Sequence, residues 1–163
     1  VPLSLRIIGS GAAWASVTQQ ARDLEVNADF FGPMDPEDLS EQYRWADTAL
    51  VHLADWEPLE ATVPSKTFGL INAGIHISGV VGGETAELLT ELEVGDPVPP
   101  SDPQALANLW IDLWRNPERL VVSSRGRFRI EQERDEKIPR ILDREFESLE
   151  KERRTVHGRD SDV

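Results

Sequence analysis

Short apolar runs alternate with amphipathic stretches along the first 130 residues of this chain. Leu3–Ile8 reads as a buried strand, and Ala12 to Leu24 is helix-permissive. Asn27–Phe31 is a second strand, closed by Gly32-Pro33. Asp35-Pro36-Glu37-Asp38 then opens a helix reaching Trp45. Asp35 suits the cap, Pro36 the first turn, and the acids the positive end of the helix dipole. Asp47–Leu53 is a third strand, Ala54–Pro64 a loop, and Ser65–Asn72 a short helix with Ser65 as its cap. Ile75–Val81 is a fourth strand, and Glu84–Leu92 a helix after Gly82-Gly83. Val94–Pro99, with its prolines, is a weak edge strand. Ser101-Asp102-Pro103 starts a helix that Asn116-Pro117 ends.

Strands alternating with helices of these lengths predict βαβ units and an α/β fold built on a doubly wound parallel sheet. Ligands then bind outside the carboxyl ends of the strands. The loops to watch are 9–13, 31–35, 54–65 and 81–84. From Glu118 to Arg154 the pattern is helical and heavily charged, with Pro139 expected to break or kink it. Ile138, Ile141, Leu142, Phe146 and Leu149 form a sparse apolar stripe that needs something to pack on. The chain beyond Glu152 has the composition of a disordered tail. This divides the chain into a ligand-binding domain (1–130), a charged C-terminal helical extension (131–152) and a tail (153–163).

Charge narrows the functions open to such a domain. The formal net charge is −13, and residues 1–130 carry 19 acidic against 9 basic side chains. No nucleic acid is expected as a partner, because phosphate backbones need a basic surface. An anionic ligand would need a local device, such as one lysine or a helix N-terminus. The 163 residues include no cysteine, which removes disulfides and thiolate metal sites and fits a cytoplasmic location. No apolar run is long enough for a membrane span, and Val1–Arg6 lacks the features of a signal peptide. The chain opens almost directly on a strand, as a segment cut from inside a longer protein would.

Four groups of residues could carry chemistry. Gly9-Ser10-Gly11 follows a strand, where glycines let the backbone approach a ligand closely; a tight turn is the plain alternative. The dinucleotide fingerprint is incomplete, because Trp14 stands where its third glycine would be. Ser65-Lys66 opens a helix whose dipole opposes the lysine, a conflict that an anionic ligand would offset. The alternative is an exposed lysine at a helix start. Gly82-Gly83-Glu84 exposes backbone donors and an acid able to accept from ligand hydroxyls; otherwise it is a flexible turn. His52 and His76 lie in strands without metal-ligand spacing and read as packed or hydrogen-bonded, with no metal expected. Trp14, Trp45, Trp110 and Trp114 fall in helices and read as core, whereas Trp56 lies in a ligand-side loop.

Taken in order, these segments resemble the C-terminal domain of group 1 (family 4) retaining glycosyltransferases of the GT-B fold, over roughly residues 3–130. The matching pieces are Gly9-Ser10-Gly11, Phe31-Gly32 with the following acidic helix and Tyr43, Asp47-Thr48-Ala49-Leu50, and Val63-Pro64-Ser65-Lys66 through Ala73-Gly74. Gly82–Leu88, Val98–Ala107 and Asn116-Pro117-Glu118 complete the series.

The resemblance implies a Rossmann-like domain that holds a nucleotide-diphosphate sugar, the donor substrate, with no cofactor and usually no metal. Gly9, Ser10, Gly11, Ser65, Lys66 and Gly69 would meet the nucleotide and its phosphates. Lys66 would neutralise leaving-group charge, and Phe31-Gly32 would border the base. Gly82, Gly83, Glu84 and Glu60 would lie on the sugar side. A hexose would be transferred to an acceptor held largely by an N-terminal domain of the same protein. The final helix would pack on that domain, and any peripheral membrane contact would come through it. The isolated segment is expected to be inactive.

The pattern departs from the family at the paired glutamates, whose places are taken by Ala61 and Gly69, with Glu60 one position away. His76 stands where proline is common. A noncatalytic binding or interaction domain with the same fold is therefore the second reading.

Overall fold

In the computed structural model, residues 2–142, 144 and 146 are described. Five parallel strands alternate with helices in the expected order: β1 (Leu5–Ile8), α1 (Trp14–Asp23), β2 (Ala28–Phe31), α2 (Pro36–Trp45), β3 (Thr48–His52), α3 (Ser65–Ala73), β4 (His76–Val80), α4 (Gly83–Glu91), β5 (Gly95–Val98) and α5 (Pro103–Arg115). Short 3-10 turns span Glu57–Leu59 and Pro117–Leu120, and α6 (Arg125–Gln132) follows. Only some helix starts behave as their residues suggest. The Asp102 carboxylate caps α5 by accepting from the Ala105 amide at 2.9 Å. Asp35 occupies the cap position of α2 without a side-chain bond. Pro64, not Ser65, caps α3, because the extended φ/ψ of a cap falls on the proline and Ser65 is already helical.

The single continuous sheet expected from the sequence is divided. β1 pairs with β2, and β3–β4–β5 form a second sheet, all parallel. In the larger sheet Thr48 stands opposite His76, and Ser78 opposite Asp96. Strand β4 is buried along its whole length, as a central parallel strand covered on both faces should be. The core gathers Val51, Ile77, Leu70, Ile71, Leu89 and Val94 on one face, with Tyr43 of α2 and Ile130 of α6 packed against it. On the other face the Trp110 indole of α5 donates to the Ser78 hydroxyl at 3.1 Å.

The β1–α1–β2 unit lies apart from this core, with no residue between 2 and 34 buried. Trp14 meets Phe30 edge-on with centroids 5.6 Å apart, which closes one side of the unit. On the other side the Arg6 guanidinium lies 3.8 Å from the Trp45 ring centroid and donates to Gln42 Oε1 at 2.8 Å. Helix α2 thus joins the small sheet to the large one. This use explains why Trp45 stays 43% exposed, although helical position suggested core. Trp114 is also exposed, on the outer side of α5.

Helix α6 packs on α3, and Gly126 makes that approach possible. A Cβ there would stand 2.6 Å from Val94 Cγ1 and 2.8 Å from Ile71 Cγ2. After α6 the chain neither breaks nor stops at Pro139. It widens into a π turn over Glu133–Lys137, in which the Ile138 amide donates to the Glu133 carbonyl, and helix continues to Leu142. A proline removes one helical donor and crowds the carbonyl four residues back; a wider turn just before it relieves both problems. Ile138, Ile141, Leu142 and Phe146 are all exposed. Leu149 and the tail at 153–163 lie outside the described residues.

Candidate functional site

The carboxyl ends of the strands carry most of the expected site residues, in two stitched groups. The first joins β1 to β2: the Gly9 amide donates to the Phe31 carbonyl at 3.0 Å, so the glycine loop and the Phe31-Gly32 strand end share one rim. Gly9 has φ +139, a backbone region that only glycine enters freely. A Cβ at Gly9, Gly11 or Gly32 would meet nothing within 4 Å. These glycines are therefore not explained by packing within the domain.

The second group joins the starts of α3 and α4. The Glu84 amide donates to the Glu60 carbonyl at 2.7 Å, and the Thr85 hydroxyl donates to the Thr62 carbonyl at 2.5 Å. Gly83, at φ +53, lies directly against the Glu60 backbone. This places the Glu60 backbone beside Gly83 and Glu84. The same stitch carries the loop into Ser65 and Lys66, both exposed in the first turn of α3. No bond among the described residues links the first group to the second.

Lys66 is the only lysine before Lys137. Much of its side chain is open to solvent, yet the part that is covered pushes its ammonium below the ordinary lysine value. No carboxylate pairs with it among the described residues. The next residue, Thr67, is fully buried, and its hydroxyl has no hydrogen-bond partner among the described residues. Gly69, one turn beyond Lys66, sits inside α3, where a Cβ would meet nothing within 4 Å. Glycine inside a helix costs about 1 kcal/mol relative to alanine. With no protein contact to account for it, a bare helix surface beside a lone cation suits close approach by a ligand.

Sequence reasoning missed Ser101, a non-glycine residue at φ +62 at the carboxyl end of β5. The only signal was its place in a Pro-Pro-Ser-Asp-Pro turn. It also missed a hollow of about 460 Å³ at the opposite, amino-terminal ends of β3 and β4. Tyr43, Arg44, Asp47, Gly74, His76 and Leu120 line it. His76, read as a packed structural residue, is buried and hydrogen-bonded on both ring nitrogens, to Thr48 Oγ1 at 2.8 Å and Asp96 Oδ2 at 3.0 Å. His52 is exposed, as is Trp56. Among the described residues no group of three or more histidine, aspartate or glutamate side chains is placed to hold a metal ion, and no helix is long and apolar enough to cross a membrane.

Compared with known proteins, the chain matches no family model and no curated protein.

Proposed function

We propose that the chain is the Rossmann-like, donor-binding half of a GT-B-type glycosyltransferase, holding the diphosphate of a nucleotide sugar at the start of α3. The observation that carries this reading is Lys66, a partly desolvated cation with no carboxylate partner among the described residues, in the first turn of a helix, with the uncovered surface of Gly69 one turn on. A helix N-terminus offers free backbone donors and a positive dipole end. An anion there stabilises both the dipole and a lysine that otherwise opposes it. In a transfer reaction the same cation offsets the charge gained by the departing diphosphate. Gly82, Gly83, Glu84 and Glu60 would face the sugar, and Gly9–Gly11 with Phe31-Gly32 the nucleotide.

A noncatalytic binding domain is the second reading. It is favoured by Ala61 and Gly69, which leave no carboxylates where the resemblance places two. The first reading requires the diphosphate site, and absence of nucleotide binding would favour the second, as an interaction domain.

Calorimetric titration with UDP, GDP and their sugar conjugates tests the site. The expected result is saturable binding that weakens with salt and falls about tenfold or more in Lys66→Ala, from loss of one charged hydrogen bond. Absence of binding by every nucleotide overturns the proposal. Transfer to an acceptor, measured with the protein joined to a partner domain, separates the two readings.

A further inference from the structure

A line of hydrogen bonds crosses β3, β4 and β5 toward their amino-terminal ends, away from the rim discussed above. Trp110 Nε1 lies 3.1 Å from Ser78 Oγ, Ser78 Oγ 2.8 Å from Thr48 Oγ1, and Thr48 Oγ1 2.8 Å from His76 Nδ1. His76 Nε2 is 3.0 Å from Asp96 Oδ2, and Asp96 Oδ1 accepts from Arg119 at 2.7 Å. Arg119 also pairs with Asp112.

For a neutral His76 ring the two ends set the direction of the line. An indole N–H only donates, and a carboxylate held by a guanidinium only accepts. A neutral His76 ring gives its Nε2 proton to that carboxylate, so Nδ1 must accept from Thr48, and Thr48, its one proton spent, takes its own bond from Ser78. His76 is thereby the neutral Nε2–H tautomer, donating to Asp96. Its only available lone pair is on Nδ1.

A second pattern is close at hand. The Thr48 hydroxyl lies 3.1 Å from the His76 carbonyl oxygen. If Thr48 turns its proton there, Nδ1 can carry a proton and donate it to Thr48 Oγ1. We propose that this line is a proton-operated latch: one proton taken up from solvent at His76 Nδ1, by way of the adjoining hollow, turns the Thr48 hydroxyl and loosens Arg119 from Asp96. The imidazolium and the guanidinium then share one carboxylate. Arg119 belongs to the turn Pro117–Leu120, and Leu120 lines the hollow together with His76. Loosening that turn opens the hollow at its Leu120 side.

The charged surroundings set the balance. Asp96 of β5 attracts the proton, and Asp47 lies on the wall of the hollow. Arg119 opposes the proton, with Arg44 of α2 on the same wall and Arg127 of α6 next to Gly74. Burial is the dominant influence and disfavours the charged ring.

Nitrogen-15 NMR of the imidazoles, with His76 assigned by its absence in His76→Gln, tests the tautomer directly. At pH 7.5 the Nε2–H form is expected, and an Nδ1–H form overturns the proposal. Amide hydrogen exchange across pH tests the latch. The amides of Arg119 and Val121, which donate to Asn116 and Glu118, should lose protection roughly two- to fivefold in step with protonation of His76, the scale of one partly exposed ion pair. Amides of β4 should stay protected; if they open in the same step, the event is global unfolding and no latch exists. In Arg119→Ala, His76 should take up its proton at higher pH, and residues 119–121 should exchange fast at every pH. If neither property changes, the proposal fails.

Discussion

The Glu84 amide points at the carbonyl of Glu60 across 2.7 Å, and Gly83 lies pressed against that same peptide. This contact fixes the start of α4 on the loop that leads into α3. A side chain at 83 would suffer twice, from φ +53 and from collision with Glu60. Gly83→Ala should therefore cost about 1–3 kcal/mol of stability by chemical denaturation. Gly82→Ala is the control: its φ is −118 and its Cβ space is empty, so its cost should stay below about 0.5 kcal/mol. Equal losses at the two positions would contradict the contact.

Gly69 offers a test in which stability and binding move in opposite directions. Alanine is a better helix former and meets no neighbour at this position. Gly69→Ala should raise stability by about 0.5–1 kcal/mol. The added methyl stands where the diphosphate is proposed to approach, so nucleotide affinity should fall. A variant that is more stable and binds UDP or GDP unchanged would remove Gly69 from the site.

Arg6 ties the small sheet to the rest of the molecule. Its guanidinium stacks on Trp45 and bonds Gln42, while its Nε is buried without a partner among the described residues. With no buried residue between 2 and 34, little else holds the β1–α1–β2 unit. Arg6→Ala should speed hydrogen exchange at β1 and β2 and leave β4 protected, since weakly packed units open below the global unfolding free energy. Matching acceleration in β4 would show that the two sheets unfold as one.

His76 makes stability depend on pH with a definite sign. Burial lowers its folded value below the ordinary 6.5, with Asp96 opposing and Arg119 assisting. The folded form then binds fewer protons than the unfolded chain near that range. Its contribution is complete above about pH 6.5 and is lost as pH falls through the folded value. Urea unfolding midpoints should decline on this account between neutral and mildly acidic pH. His76→Gln should remove that component of the slope; an unchanged slope would assign it elsewhere.

The order and type of β1–β5 and α1–α5 were legible because β1–β4 are short, largely apolar runs closed by glycine, proline or an acid, while the proline-bearing β5 showed more faintly. Asp102-Pro103 marked the start of α5 for the reason it caps it. Pairing was harder to read. The division between β1–β2 and β3–β4–β5 depends on contacts distant in sequence, such as Arg6 with Trp45, and period-two patterning carries no trace of them. Trp45 and Trp114 looked like core because a helix position alone does not reveal which face is covered. The glycine loops and Lys66 were visible as candidates, and the structure explains why Gly83 must be glycine. The hollow beside His76 was not visible, because its lining comes from α2, the end of α3, β4 and the turn at Leu120. The alternation of His76 and Ser78 in an otherwise apolar strand was the one hint of polar bonding there.

Gly126 sets how α6 sits. The helix comes so near Val94 and Ile71 that even a methyl at this position would collide. The ion pairs around it, Arg125 with Glu93 and Arg129 with Glu91, lie at the periphery in solvent. Shape, not charge, therefore decides the seating of the helix: molar salt should leave α6 where it is, while one added carbon atom should displace it.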